Sequence, residues 1–381
     1  MSECLLNEVC ELIVDCPHTT AKDEGKGYPL VRTPNIGKGR LVYDGMHRVC
    51  EDVYNKRNAR AIPQENDLIF AREATAGNVA LIQKGEKVCL GQRTVLIRPN
   101  QKKVNSAFLT YFLLAPKQQY NLLSTANGAT VTHVNLPTIR NLKIDLPELS
   151  TQQRIATILS RYDSFIENYQ KQIKLLEKAA QTLYKEWFVD LHFPGHENTK
   201  IVDGVPEGWE KKKVGDLIAK SQRTKQVPAN GYLETGNIPV IDQSRNYIAG
   251  YTNDNENIVN VTTPYIVFGD HTRVLKYIPF SFAKGADGTQ LIMSNDLARM
   301  PQTLFFNSLI EIDLSNYCYA RHFKYLKEVF VLLPSEHVAR KYDSIVSKYY
   351  QSIQNNREQI RLLTEARDRL LPKLMSGEIA V

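Results

Sequence analysis

The strongest constraint in this sequence is a heptad-spaced run of apolar residues that occurs twice. In the first copy Ile155, Leu159, Tyr162, Ile166, Tyr169, Ile173, Leu176, Ala180, Leu183 and Trp187 advance in alternating steps of four and three. A period of 3.5 residues held this long describes a long helix with a narrow apolar seam, the pattern of a coiled coil. At an offset of 187 residues it returns as Tyr342, Val346, Tyr349, Ile353, Asn356, Ile360, Leu363, Arg367, Leu370 and Leu374, interrupted only by Asn356 and Arg367. Neighbouring text repeats as well: Gln172-Ile173-Lys174-Leu175-Leu176 matches Gln359-Ile360-Arg361-Leu362-Leu363, and Leu146-Pro147 matches Leu333-Pro334. Each copy follows a long globular segment, so the chain is an internal duplication.

The fold expected from this pattern is a mixed α/β, multidomain chain with a pseudo-two-fold internal repeat. Its parts are a globular domain over 1–147, a long helix over 148–190, a linker over 191–208, a second globular domain over 209–334 and a second long helix over 335–381. A helix of nearly forty residues, roughly 55–60 Å at 1.5 Å per residue, needs a partner, and the second copy is the natural one. Antiparallel pairing also satisfies the connectivity, placing the two globular domains at opposite ends of a rigid spacer. Ser150 with Gln153 fits a capping box at the start of the first helix. In the second, Asn356 either fixes register or faces solvent at a loosened point of the seam. Pro372 predicts disruption of the last turns, and Gly377 a helix stop.

At 381 residues the chain can bury two cores. Its 23% charged residues are ordinary for a globular protein, and the net charge of +7 permits a polyanionic partner without requiring one. No apolar run is long enough for a membrane span, and Met1-Ser2-Glu3-Cys4 does not open a secretory signal. None of the six cysteines forms a C-x-x-C pair, so they read as reduced thiols of a cytoplasmic protein. Leu6 to Ile13 reads as a short helix or turn, while Asp67 to Arg72, Val79 to Ile82, Val95 to Arg98 and Lys143 to Pro147 read as strands. Tyr265 to His271 takes the place of Leu68 to Arg72 in the second half, although most of the two globular segments has diverged.

Together with Leu146-Pro147, several runs in fixed order resemble the specificity subunit of type I restriction-modification systems along essentially the whole chain. They are Gln153-Arg154-Ile155, Ile173-Lys174-Leu175-Leu176-Glu177, Leu183-Tyr184-Lys185-Glu186-Trp187-Phe188, Phe193-Pro194-Gly195-His196, Pro206-Glu207-Gly208-Trp209 and the terminal Leu371-Pro372-Lys373-Leu374-Met375-Ser376-Gly377-Glu378-Ile379. One departure is Val338-Ala339-Arg340 in the second repeat, set against Gln152-Gln153-Arg154 in the first, which leaves a glutamine contact at the first helix start without a counterpart. The resemblance implies two target recognition domains, each reading half of a bipartite double-stranded DNA site, on helices that dock two methyltransferase subunits. It also implies restriction and translocase subunits as partners. The chain itself would be non-catalytic and hold no cofactor or metal, with S-adenosylmethionine, ATP and Mg on the partners. Consistent with that, the sequence has neither a G-x-x-x-x-G-K-[S/T] phosphate loop nor an Asn/Asp-Pro-Pro-Tyr motif for a flipped adenine. A non-DNA scaffold on a coiled-coil strut, and a nuclease of unrecognised type, are the competing readings.

Bases are read by Arg, Lys, Asn and Gln side chains, and phosphates are held by Lys, Arg and Thr. The candidate DNA-binding residues of the first domain are therefore Arg32, Asn35, Lys38, Arg40, Arg72, Thr75, Asn78, Gln92 and Arg93. In the second domain they are Gln222, Arg223, Lys225, Gln243, Arg245, Asn246, His271, Thr272, Arg273 and Lys276. For each, a solvated surface residue is the competing reading, and for His271 a packed histidine.

Overall fold

A computed structural model of the chain describes residues 2–124, 133–220, 224–317 and 321–381. The chain divides into two compact units: Met1–Asn168 with Ile360–Val381, and Tyr169–Gln359. The long helices, Leu149–Tyr184 and Glu336–Ser376, each contribute their first part to one unit and their later part to the other. Among the described residues no helix is long and apolar enough to cross a membrane.

The duplication reappears as topology. In the first unit Ser2–Leu5 pairs antiparallel with Lys143–Leu146, the strand that delivers the chain to the long helix. In the second, Glu210–Lys213 pairs in the same way with Phe330–Leu333. Tyr28–Val31 runs parallel to Cys89–Leu90, as Ile238–Ile241 runs parallel to Phe282–Lys284. The hairpin Leu68–Ala71 with Val79–Leu81 has its counterpart in Tyr265–Gly269 with Leu275–Ile278, and each hairpin is extended on its other side, by Thr94–Pro99 and by Thr289–Ile292. A buried helix follows in each unit, Ser106–Leu114 and Gln302–Ile310. The short helix or turn expected near the N-terminus is present as the 3-10 helix Leu6–Val9, after which Cys10–Asp15 forms a strand against Thr94–Pro99, with Val9 and Ile13 buried. The breaker-rich linker holds a small hairpin, Ile201–Val202 with Val205–Pro206, turned by Asp203 and Gly204 at positive φ.

In each unit the two long helices pack antiparallel. In the first, Ile155 and Leu159 share a core with Leu371 and Leu374; in the second, Ala180 and Trp187 share one with Tyr342, Val346 and Ile353. The buried face is broader than a 3.5-residue seam. Tyr162, Leu183, Tyr349 and Leu370 are half-buried, whereas the residues after them, Asp163, Tyr184, Tyr350 and Leu371, are buried. The reason is that the helices pack against their globular domains as well as each other, which requires a wide apolar face. The first helix opens at Leu149 rather than at a Ser150 cap, and Gln152 ties it down: its Oε1 accepts from Asn105 N (2.9 Å) and its Nε2 donates to Pro147 O (2.9 Å). It ends in a π-turn, Lys185–Val189, that carries Trp187 and Phe188 onto Tyr342. Pro372 sits inside the second helix without ending it; Gly377, at φ +77°, follows the last helical residue.

The seam interruptions are buried polar contacts. Asn356 Nδ2 donates to Gln172 Oε1 (3.2 Å). Arg367 pairs with buried Asp163 (2.6 Å), whose other oxygen accepts the Tyr111 hydroxyl (2.5 Å) from the helix Ser106–Leu114. The equivalent position in the second unit exchanges the partners: the Tyr350 hydroxyl, on the long helix, donates to Asn307 Oδ1 (3.2 Å) on Gln302–Ile310. Burial raises both tyrosine pKa values and keeps the hydroxyls protonated as donors. Because removing one partner of a buried ion pair strands the other charge, Arg367→Met is expected to destabilise the protein by about 3–5 kcal/mol in urea unfolding, and Arg367→Met/Asp163→Leu to recover most of that loss. A neutral single variant would show that the pair does not fasten the domain to its helices.

Candidate nucleic-acid interface

The candidate residues of the first unit gather around the turn 72–78, which caps the hairpin Leu68–Ala71/Val79–Leu81. Several of them build this surface. Asn35 is buried, its Oδ1 accepting from Arg32 N (3.2 Å) and its Nδ2 donating to Val42 O (3.1 Å). Thr75 Oγ1 donates to Thr33 O (2.8 Å) and Asn78 Nδ2 to Ile36 O (2.9 Å), stitching the turn to the loop 32–41. Arg72 is buried and pinned by Asp15 Oδ2 (2.6 Å) and Val134 O (2.9 Å). Each of these four thus has a polar side-chain atom bonded within the fold.

The side chains offered to solvent are fewer. Arg32, Gln92 and Arg93 line one concavity with Thr20 and Arg57. Arg93 is exposed at φ +63°, a left-handed position for a non-glycine residue, and its guanidinium meets Glu73 Oε2 at 2.7 Å. Gln92 Nε2 donates to His18 O (2.9 Å), and Arg32 Nη2 to Gly45 O (3.0 Å). Lys38 is exposed in a separate hollow with Tyr111, Arg367 and Asp368. Arg40 is half-buried, and its Nε has no hydrogen-bond partner among the described residues.

In the second unit the loop 242–248 and the turn 270–274 converge, and Gln243 joins them. Its Oε1 accepts from His271 N (3.1 Å), its Nε2 donates to Asp287 O (2.8 Å), and its carbonyl accepts from Thr272 Oγ1 (2.6 Å). Gly288 admits this packing: a Cβ there would lie 2.7 Å from Gln243 Nε2. Lys276 is buried and donates to the carbonyls of Asp242 (2.7 Å) and Asn246 (2.5 Å), tying the loop's two ends. Burial lowers its pKa, partly offset by Asp242. Gln243, Thr272 and Lys276 thus hold these loops, on which Arg245, Asn246, His271, Arg273 and Thr272 itself are exposed. Lys225 pairs with Glu256, outside this convergence. Gln222 and Arg223 lie outside the described residues.

Sequence reading missed the groups that hold the readers in place. His133 and Asp15 flank Arg72 in the first unit; Asp270 in the second accepts from Phe323 N (2.8 Å) and fastens the helix His322–Glu328 to the turn. Gly285-Ala286-Asp287-Gly288 was a visible turn signal. Among the described residues no group of three or more His, Cys, Asp and Glu side chains is placed to hold a metal ion.

Residues 3–178 match the family described as type I restriction modification DNA specificity domain. The chain is 26% identical to the type I restriction enzyme MjaIX specificity subunit of Methanocaldococcus jannaschii, over 96% of this chain and 90% of that protein. It is 30% identical to the MjaX specificity subunit of the same organism, a putative type I restriction enzyme subunit, over 61% of this chain and 56% of that one. Over nearly its whole length the chain is thus similar to type I restriction-modification specificity subunits. The fold agrees with the crystal structure of the type I system S subunit from M. genitalium, at a TM-score of 0.58 and 16% identity over 98% of this chain and 95% of that one.

The exposed and the loop-holding residues separate experimentally. Arg245→Ala and Arg273→Ala are expected to weaken DNA binding without lowering the thermal midpoint, each reducing the salt slope of log K by about one if it holds a phosphate. Lys276→Met, which removes a buried donor shared by two backbone carbonyls, is expected to lower the midpoint. Equal losses of stability in all three would remove the distinction between reader and scaffold.

Proposed function

We propose that this chain reads a bipartite DNA site, one half with each globular domain, and holds two methyltransferase subunits on its long helices. The observation that carries this reading is the repeat itself. Both units have the same hairpin with a third strand beside it and the same parallel strand pair, yet the residues near the hairpin turns differ: exposed Arg93 and half-buried Arg32 near one, exposed Arg245, Asn246, His271 and Arg273 near the other. One architecture with two sets of readers suits two different half-sites. The helices, by contrast, kept a common surface. Leu175 and Leu362 occupy equivalent positions in the matched run and are both exposed, at 68% and 44%. An exposed leucine repeated on otherwise diverged halves suits two copies of one protein partner.

In this reading the methyltransferase subunits supply adenine-N6 methylation with S-adenosylmethionine, and restriction and translocase subunits act with ATP and Mg, in the cytoplasm of a bacterium or archaeon. The specificity subunit supplies the address. Mapping N6-methyladenine across the source genome tests this: a two-part motif with a fixed unspecified spacer is expected, and deleting this gene should abolish its methylation. Methylation that persists in the deletion strain would refute the assignment.

A further inference from the structure

A chain of polar contacts in the first unit ends at the reading surface. Asp15 Oδ2 accepts from Arg72 (2.6 Å), and Arg72 Nη2 meets His133 Nε2 at 2.8 Å. His133 Nδ1 meets Glu73 Oε1 at 2.7 Å, and the other oxygen of Glu73 holds Arg93 at 2.7 Å. His18 joins at the far end, 3.2 Å from Asp15. The anchor is firm, since Arg72 is buried and also donates to Val134 O, while the Val134 amide returns a bond to Arg72 O (3.0 Å). The terminus is exposed: 60% of the Arg93 side chain is open to solvent.

The imidazole is the link that sets direction. A guanidinium can only donate, so Nε2 of His133 accepts from Arg72; a carboxylate can only accept, so Nδ1–H donates to Glu73. The ring thereby fixes the Glu73 carboxylate, which in turn fixes the Arg93 guanidinium on a backbone already committed to a left-handed conformation. An exposed arginine otherwise loses considerable rotamer freedom on binding, so one held beforehand binds more tightly and reads its base more sharply.

We propose that His133, acting through Glu73, is a positioning residue that presents Arg93 to a DNA base in the half-site read by the first domain. This rests on the DNA-reading function proposed above. The test uses the full chain assembled with its methyltransferase subunits and a duplex bearing the motif defined by methylation mapping, against duplexes altered at each specified base and against a scrambled one. Arg93→Ala is expected to weaken cognate binding at least about fivefold and to relax discrimination at one base position. His133→Phe, which fills the space without either hydrogen bond, should relax the same position, and His133→Gln, which restores one donor and one acceptor, should recover much of the loss. In the double variant His133→Phe/Arg93→Ala the loss should not exceed that of Arg93→Ala alone, because coupled residues do not add.

A His133→Phe variant that retains full discrimination, or losses that add in the double variant, would overturn the relay while leaving DNA reading intact. Should His133→Phe instead lower the thermal midpoint and weaken scrambled and cognate duplexes equally, its role is structural and the proposal fails. Absence of any preference in the unaltered complex would overturn the DNA-reading function along with it.

Discussion

A buried polar contact between the long helices and a helix of each globular unit is the constraint on which this structure depends. A seam of leucine and isoleucine gives adhesion but little directional information, since apolar surfaces slide and rotate at small cost. A buried oxygen that must receive a proton does not, because leaving it unpaired costs about 1–3 kcal/mol. Tyr111 on Asp163 and Tyr350 on Asn307 therefore set how each domain sits on its own helix segment. That the tyrosine lies on the domain in one unit and on the long helix in the other shows what the duplication preserved: the hydrogen bond, rather than the residues that make it.

The reading surfaces follow the same economy of roles. In both units exposed cations stand on loops held by polar side chains that bond back to the backbone, Asn35, Thr75 and Asn78 in one, Gln243, Thr272 and Lys276 in the other. The loop-holding set makes the loop conformation possible, and the exposed cations are free to change with the target. This division explains how two halves of one chain come to differ at their hairpin turns while retaining the hairpin with its third strand and the parallel pairing of Tyr28–Val31 with Cys89–Leu90 and of Ile238–Ile241 with Phe282–Lys284.

What the amino-acid pattern revealed, and what it concealed, divides along physical lines. The long helices were legible because periodicity survives divergence, and Leu68 to Ala71 was legible as a strand because it is uniformly apolar. The broader buried face was not, since Tyr350 and Leu371 are buried by tertiary contacts with residues far away in sequence. Arg72 and Lys276 were legible as cations in the right loops, but whether a cation faces solvent depends on partners such as Asp15 and the Asp242 carbonyl, which only folding brings near. The Asp203-Gly204 hairpin carried its usual two-residue signature within a linker dominated by other breakers. His133 stood outside every candidate loop, and nothing local in Thr132-His133-Val134 marks it as a link between two arginines.

On the bipartite reading proposed above, the paired helices set how far apart the two DNA half-sites lie. Inserting four residues at matching positions of both helices, within Leu149–Tyr184 and Glu336–Ser376, would lengthen each by about 6 Å. With a DNA rise of about 3.4 Å per base pair, methylation sequencing of cells carrying this variant should return the same half-site sequences separated by a spacer about two base pairs longer. Retention of the original spacer would contradict the account, because the distance would then be set by something other than the helices.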